Sequence, residues 1–379
     1  MHNTKKPVFI YSQELEKYSY PPDSMFVPQR AAKTRELLMS LGLLDGKCGR
    51  ESAPVRATKS ELKNFHSTKY LEALQRAADG KMSREHLSMG LGTPDCPVFK
   101  DMFDFASWAC GATLTGAELI LSGETNIAFN PSGGFHHARA EKASGFCYLN
   151  DLVLACMRFL NNDKRVLYLD IDAHHGDGVQ EAFYATNQVM VISLHESGKT
   201  LWPGTGFEDE TGNGAGKGFT VNVPLPIGIC DAAYLEVFTE IVIPLIKAYE
   251  PDVFVLQSGM DALAGDALAH LELTNNTHAE IIDRLLHFNK PMLVTGGGGY
   301  HVDNTVRGWA LVWEILCGSG DESNLASGMG GVMLQSTEWS GGLRDRVLPV
   351  NENHCEAVEI AIQATIRSLT RSVLKYHGI

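Results

Sequence analysis

The chain has 379 residues, 44% hydrophobic and 20% charged, a composition that suits a globular protein large enough for one big α/β domain. A net charge of −13 argues against nucleic-acid binding as the main task, because phosphate recognition needs a basic patch. No apolar run approaches the ~20 residues of a membrane span, Val8–Tyr11 is too short for a signal peptide, and eight cysteines without a C-x-x-C pair suit reduced thiols in the cytoplasm.

Val8–Tyr11 predicts a first strand, followed by a proline-rich loop and a helix from Ala31 to about Leu44 that ends near Gly42–Gly46. Arg30 stands just before this helix, and spacing alone makes it a surface charge. Thr58 and Glu61 form a capping-box pattern for a helix toward Phe65, and Thr68–Ala78 predicts another. The Gly90–Pro97 loop contains Asp95 and precedes a long helix through Leu121. Further strands are predicted at Asn126–Phe129, Val166–Leu169, Val189–Leu194, Phe219–Val223, Asp252–Gln257 and Met292–Thr295. Between them the pattern predicts helices at Asn150–Leu160, Gln180–Tyr184, Ala232–Tyr249 (kinked by Pro244), Thr277–Phe288 and Thr305–Cys317. Residues 319–345 carry no clear pattern. Ala357–Tyr376 has an apolar helical stripe at Ile362, Ile366, Leu369 and Val373. Short apolar strands alternating with helices imply a mostly parallel sheet of about eight strands, covered on both faces, in a single domain spanning 1–379.

Polar groups cluster where these strands end. Asp170, Asp172, His174, His175 and Asp177 fall within eight positions after Val166–Leu169. Alternation along an extended chain would carry Asp170, Asp172 and His174 into one pocket. The plainer alternative is a polar turn whose acids cap the next helix. The loop holding His136 and His137, Asp261 after Gln257, and Tyr300 after four glycines sit at three other strand ends, the edge where open α/β sheets bind ligands. A catalytic zinc takes three protein ligands and keeps one position open, and Asp172, His174 and Asp261 are the candidates. Such a metal polarises a carbonyl and acidifies its water. His136 and His137 would act as general base and acid with Asp170 and Asp177 as spare carboxylates, and Tyr300 could donate to a developing oxyanion. Cys147 reads as a small buried residue. His175 has no assigned task. The glycine-rich stretches 212–218 and 296–299 lack the helix-opening context or Lys-Ser/Thr of a phosphate loop.

The segments Pro131–Asp151, Asp170–Gly178, Gln257–Asp261 and Gly296–Tyr300 resemble the motifs of class I histone deacetylases and the bacterial acetoin-utilization deacetylases, in the same order, over about residues 8–318. The resemblance implies an arginase/deacetylase-like α/β fold and a zinc-dependent amidohydrolase, with iron(II) as the alternative ion, acting on acetyl-lysine in a protein or peptide. It implies zinc on Asp172, His174 and Asp261, an acid/base pair of His136 and His137 buttressed by Asp170 and Asp177, and carbonyl polarisation by Tyr300. It further places Gly145, Phe146, Trp202, Gly298 and Leu268 along a tunnel for the acyl-lysine stem, Asp95 at its rim, and Arg30 at the foot of an acetate channel. Trp202 stands where the family is expected to have phenylalanine, so acyl-chain preference is open. Potassium would lie near Asp170, Asp172, His174, Ser193 and Leu194.

Three alternatives differ in their requirements. A two-manganese ureohydrolase needs carboxylates where this chain has Gly176 and Gly259. An acetylpolyamine deacetylase needs an acidic gatekeeper, and only Asp95 stands near the rim. A metal-free acetyl-lysine binding module would show a damaged ligand set, and this set is intact.

Overall fold

The computed structural model describes residues 5–318, 342–346 and 352–379; the patternless 319–341 lie outside the described residues. Its centre is an eight-stranded sheet in the order β2-β1-β3-β8-β7-β4-β5-β6, with every pairing parallel. The strands are β1 (Val8–Ile10), β2 (Arg50–Ser52), β3 (Ile127–Asn130), β4 (Val166–Asp170), β5 (Val189–Glu196), β6 (Thr220–Leu225), β7 (Val253–Gln257) and β8 (Met292–Thr295).

Seven of these coincide with the apolar runs. β2 does not: Arg50-Glu51-Ser52 is short and polar, and it is a strand only because it pairs with β1 at the sheet edge. Inside the sheet the runs are apolar throughout because both faces are covered. Leu167 and Leu169 join one core with Ile192, Leu256 and Val294, while Val166 and Tyr168 join the opposite core with Val191 and Val255. This is the two-residue alternation of an extended chain, realised on two buried faces. Helices α1 (Arg30–Ser40), α7 (Asn275–Leu286) and α8 (Val302–Leu316) pack together. Another pair, α3 (Met102–Leu121) and α4 (Asp151–Leu160), packs over β3, β4 and neighbouring strands. Helix α2 (Thr68–Ala78) matches its predicted range, and the capping box at Thr58–Glu61 is formed.

Other boundaries moved. Helix α5 is Asp177–Phe183, so it begins three residues before the expected start. Helix α6 runs Asp231–Val237, passes through a π-helical turn at Phe238–Val242 and resumes at Ile243–Tyr249. Pro244 is the second residue after that turn: a residue without an N–H cannot complete the α-helical ladder, and the wider turn absorbs the defect. Helix α9 (Glu352–Ser372) packs against β6 and α6, with Ile362, Leu369 and Val373 buried as its stripe predicts. No helix among the described residues is long and apolar enough to cross a membrane.

For function the important consequence is register. Asp170 lies opposite Gln257 on one side and Ser193 on the other, Gln257 lies opposite Thr295, and Thr295 opposite Asn130. The C-terminal ends of four adjacent strands, β3, β8, β7 and β4, are therefore level, while β5 runs three residues further to Glu196, and the loops leaving the four emerge side by side.

Candidate active site

The β3 loop is set by groups the sequence reading did not single out. The buried Asp151 carboxylate accepts hydrogen bonds from Gly134 N (3.0 Å), Phe135 N (2.8 Å) and the Thr113 hydroxyl (2.5 Å). Asn150 caps α4 through its Oδ1 and donates to the Ala138 carbonyl through its Nδ2 (2.9 Å). Together they curl the loop so that His136 and His137 face the ends of β4 and β7.

The two histidines touch through their Nε2 atoms, 2.9 Å apart. His136 Nδ1 donates to Asp170 Oδ2 and His137 Nδ1 donates to Asp177 Oδ1, each at 2.8 Å. With both Nδ1 atoms protonated, the facing Nε2 atoms need one proton between them, so the pair holds one neutral ring and one cation. Burial opposes the charge on both rings. At His136 the carboxylates of Asp170 and Asp172 outweigh burial and raise the pKa to about 9, whereas His137, beside that cation, is lowered to about 4. Arg139 donates to Asp177 Oδ2 at 3.0 Å, and with His137 it holds the Asp177 carboxyl well below the usual range despite burial. Tyr168 donates to Asp170 Oδ2 at 2.5 Å.

β4 ends at Asp170, so simple alternation does not carry past it. Asp170 turns to His136, while Asp172 and His174 converge with Asp261 from the loop after β7. One ligand atom from each of these three buried residues lies within 4.8 Å of the others. His174 Nδ1 is 2.9 Å from Asp261 Oδ2 and 3.3 Å from Asp172 Oδ1. Outer donors hold both carboxylates: Gln257 Nε2 (2.7 Å) and Gly298 N (2.8 Å) on Asp172 Oδ2, and Ala173 N (2.9 Å) on Asp261 Oδ1. Burial, then the charge of Asp172, pushes the Asp261 carboxyl up to about 7. Two buried acids meeting at one imidazole, each braced from behind, fit a divalent cation with three protein ligands. The chain has no side chains at the glycine positions beside this cluster to extend it to a second metal. A Cβ at Gly176 would strike Asp170 Oδ2, one at Gly259 would strike Asp172 Oδ2, and one at Gly298 would strike Asp261 Oδ2.

This cluster lies at the base of a cavity of about 380 Å³ lined by Asp95, Gly145, Phe146, Trp202, Leu268 and Tyr300, with His137 and His174 at its floor and Pro94 and Leu201 adding to the wall. Gly298 sits beneath, against the ligand carboxylates, rather than in the wall. Trp202 packs edge-on against His137 with ring centroids 4.6 Å apart, and Tyr300 packs near Phe146 (5.7 Å) and His174 (6.4 Å). Gly145 and Phe146 both have left-handed backbone, at φ +53° and +63°. Asp95 holds this bend, accepting Gly145 N on its side chain (2.8 Å) and Phe146 N on its carbonyl (3.1 Å).

Arg30 is buried rather than superficial: its guanidinium donates to the carbonyls of Gly299 (2.5 Å), Gly297 (3.0 Å) and Val27 (3.1 Å). His175 is buried as well, with Nδ1 accepting from the Thr205 hydroxyl (2.8 Å) and Nε2 donating to Gln180 Oε1 (3.1 Å). It braces the loop after β5. Ser193 Oγ meets His195 Nδ1 at 2.8 Å, beside Leu194 on β5. Among the described residues seven cysteines are free, and Cys147 is buried, as a small core residue should be.

The model of the histone deacetylase domain matches residues 24–316. The chain is 39% identical to the histone deacetylase Clr6 of Schizosaccharomyces pombe over 324 residues, 85% of this chain and 79% of that protein. Its fold superimposes with a TM-score of 0.83 on a crystal structure of a histone deacetylase homologue from Aquifex aeolicus, at 32% identity over 96% of this chain and 99% of that one. A homologue crystallised in complex with SAHA gives a TM-score of 0.85 at 31% identity, with the same coverage of both chains. A match of the family model over residues 24–316, a span that contains the metal cluster and the histidine pair, establishes that the chain belongs to the histone deacetylase family.

Proposed function

We propose that this hydrolase removes acetyl groups from lysine side chains of proteins, using one zinc ion held by Asp172, His174 and Asp261. The observation that carries the proposal is the position of the ligand cluster: it closes the floor of a narrow, largely apolar cavity between His137 and Tyr300. A neutral acyl-lysine stem suits such walls, whereas a charged lysine would lose hydration there.

Zinc, when bound, polarises the amide carbonyl and lowers the pKa of a water, as iron(II) also would. The remaining work falls to side chains. His137 reaches the cavity and, sharing one proton with His136, takes a proton from the attacking water and returns it to the departing lysine nitrogen. Asp170 and Asp177 keep both rings in the Nδ1–H form, which leaves the Nε2 atoms to trade that proton. The Tyr300 hydroxyl donates to the carbonyl oxygen as negative charge develops there. Gly145, Phe146, Trp202 and Leu268 guide the stem, and Asp95 sets the rim.

Beneath the site a second cavity of about 10 Å³, room for about one water, is bounded by Phe26, Arg30, Pro131 and Trp309. It supports Arg30 as the foot of an acetate exit. Potassium is proposed beside Asp170, Asp172, His174, Ser193 and Leu194, supported by the register that sets Ser193 opposite Asp170.

The test is a substrate panel on purified, zinc-loaded protein, running from acetyl- and longer acyl-lysine peptides to acetylpolyamines. Hydroxamate-sensitive turnover of acetyl-lysine peptides, faster than of polyamines, is expected. Turnover of acetylpolyamines alone would overturn the protein-substrate assignment.

A further inference from the structure

We propose that Asp266, an acid outside the metal cluster and the histidine pair, is the positioning residue that fixes the Tyr300 hydroxyl for catalysis. The inference rests on the deacetylase reading of the site.

Tyr300 follows Gly296–Gly299, and four consecutive glycines are the loosest backbone a chain can offer. An oxyanion donor needs the opposite, since it must be in place before charge develops. The hydroxyl is engaged by no protein group among the described residues, and its ring neighbours, Phe146 and His174, are 5.7 and 6.4 Å away between centroids. Precision must therefore come through the main chain.

Each glycine of the run is indeed bonded from outside it. Gly296 N donates to the Asn130 carbonyl (2.9 Å), and Gly298 N to Asp172 Oδ2 (2.8 Å). The carbonyls of Gly297 and Gly299 accept from Arg30, and that of Gly298 from Met260 N (2.9 Å). The last pin, at Tyr300 itself, is Asp266. Its Oδ2 accepts Tyr300 N at 2.7 Å and His301 N at 3.3 Å, while its Oδ1 accepts Leu268 N at 2.9 Å. This bond falls directly after Gly299, whose φ of +127° belongs to a region that side chains avoid. One carboxylate thus ties the start of α8, the phenol donor and the Leu268 wall of the cavity into a single unit.

The test is a double-mutant cycle. Asp266→Ala and Asp266→Asn are each made in the native chain and in Tyr300→Phe, with kcat and KM on an acetyl-lysine peptide, zinc content and thermal midpoint measured for all. Misplacing a reacting group costs up to about 10²-fold in rate, so Asp266→Ala should lower kcat by roughly ten- to a hundredfold with zinc content and KM little changed. In the Tyr300→Phe background the same substitution should cost less than about threefold, because the group it positions is gone. Asp266→Asn keeps the volume and one acceptor oxygen, so a smaller loss that also vanishes in Tyr300→Phe is expected even where the alanine variant fails to fold. An equal fold-loss in both backgrounds, or unchanged kcat in both variants, overturns the proposal. If instead the native chain does not turn over acetyl-lysine, or Tyr300→Phe is as fast as native, the deacetylase reading itself fails.

Discussion

Replacing Tyr300 by phenylalanine removes one oxygen atom from the wall of the 380 Å³ cavity and leaves the ring against Phe146 and His174. No protein group among the described residues loses a hydrogen-bond partner, so the stability change should stay within about 0.5 kcal/mol, as for an ordinary partly exposed substitution. The catalytic cost is of a different order. Loss of one preorganised donor to an oxyanion lowers kcat by about 10²–10³, or roughly 2.7–4 kcal/mol of transition-state stabilisation. Because the bond strengthens only as the carbonyl oxygen gains charge, KM should change little and the loss should fall on kcat. The separation between about 0.5 and about 3 kcal/mol is wide enough for thermal denaturation and steady-state turnover to tell folding from chemistry. The measurements are kcat and KM on an acetyl-lysine peptide, zinc per chain, and the melting midpoint. Turnover within a few-fold of native would show that Tyr300 does not hold the oxyanion. A low rate with lost zinc would show that it acts through the metal site instead.

Two further outcomes follow from the same geometry. Chelation should abolish activity, one equivalent of zinc should restore it, and Asp261→Asn should bind zinc far more weakly; restoration that needs two equivalents would contradict the single ligand set of Asp172, His174 and Asp261. His66 is buried, accepts Asn150 N on Nε2 at 3.0 Å, and has its pKa lowered by burial to about 4. Its unfolded form takes up a proton near pH 6.5 while the folded form does not until near pH 4, so stability is lost as pH falls through that window, by about 2 kcal/mol at pH 5 from this group. In urea titrations at pH 7.5 and 5, His66→Gln should therefore lose less stability than the native chain, and equal losses would refute the assignment.

How much of this was legible in the sequence depends on where each residue finds its partners. The sheet was readable because parallel strands buried on both faces are continuous apolar runs, and the metal ligands because Asp172 and His174 sit two apart just past such a run. Their convergence with Asp261 follows from register, since β4 and β7 are neighbours and their ends are level. Strand β2 was not readable: three polar residues become a strand only through β1. Arg30 reads as a surface charge by spacing, yet two of its three acceptors are backbone carbonyls 267 and 269 positions away. Asp151, Asp266 and His175 are hidden for a related reason. Asp151 and Asp266 bond to main-chain N–H groups, which every residue but proline carries, so nothing in the local pattern marks them. His175 meets Thr205 and Gln180 only because a loop folds back over it.

Glycine carries the opposite kind of information. Gly176, Gly259 and Gly298 stand where a Cβ would collide with Asp170, Asp172 or Asp261. At those positions the ligand carboxylates and their supports occupy the space a side chain would need. The carboxylate and imidazole groups gathered there are those of one ligand set, Asp172, His174 and Asp261. On the proposed one-zinc reading, no second cation would share the negative charge forming on the substrate oxygen, and a protein donor would take that share. On that reading Tyr300 is the hydroxyl at the cavity wall that would do so, and its placement at the end of a glycine run gives the external pins, Arg30 and Asp266, their proposed part in the site.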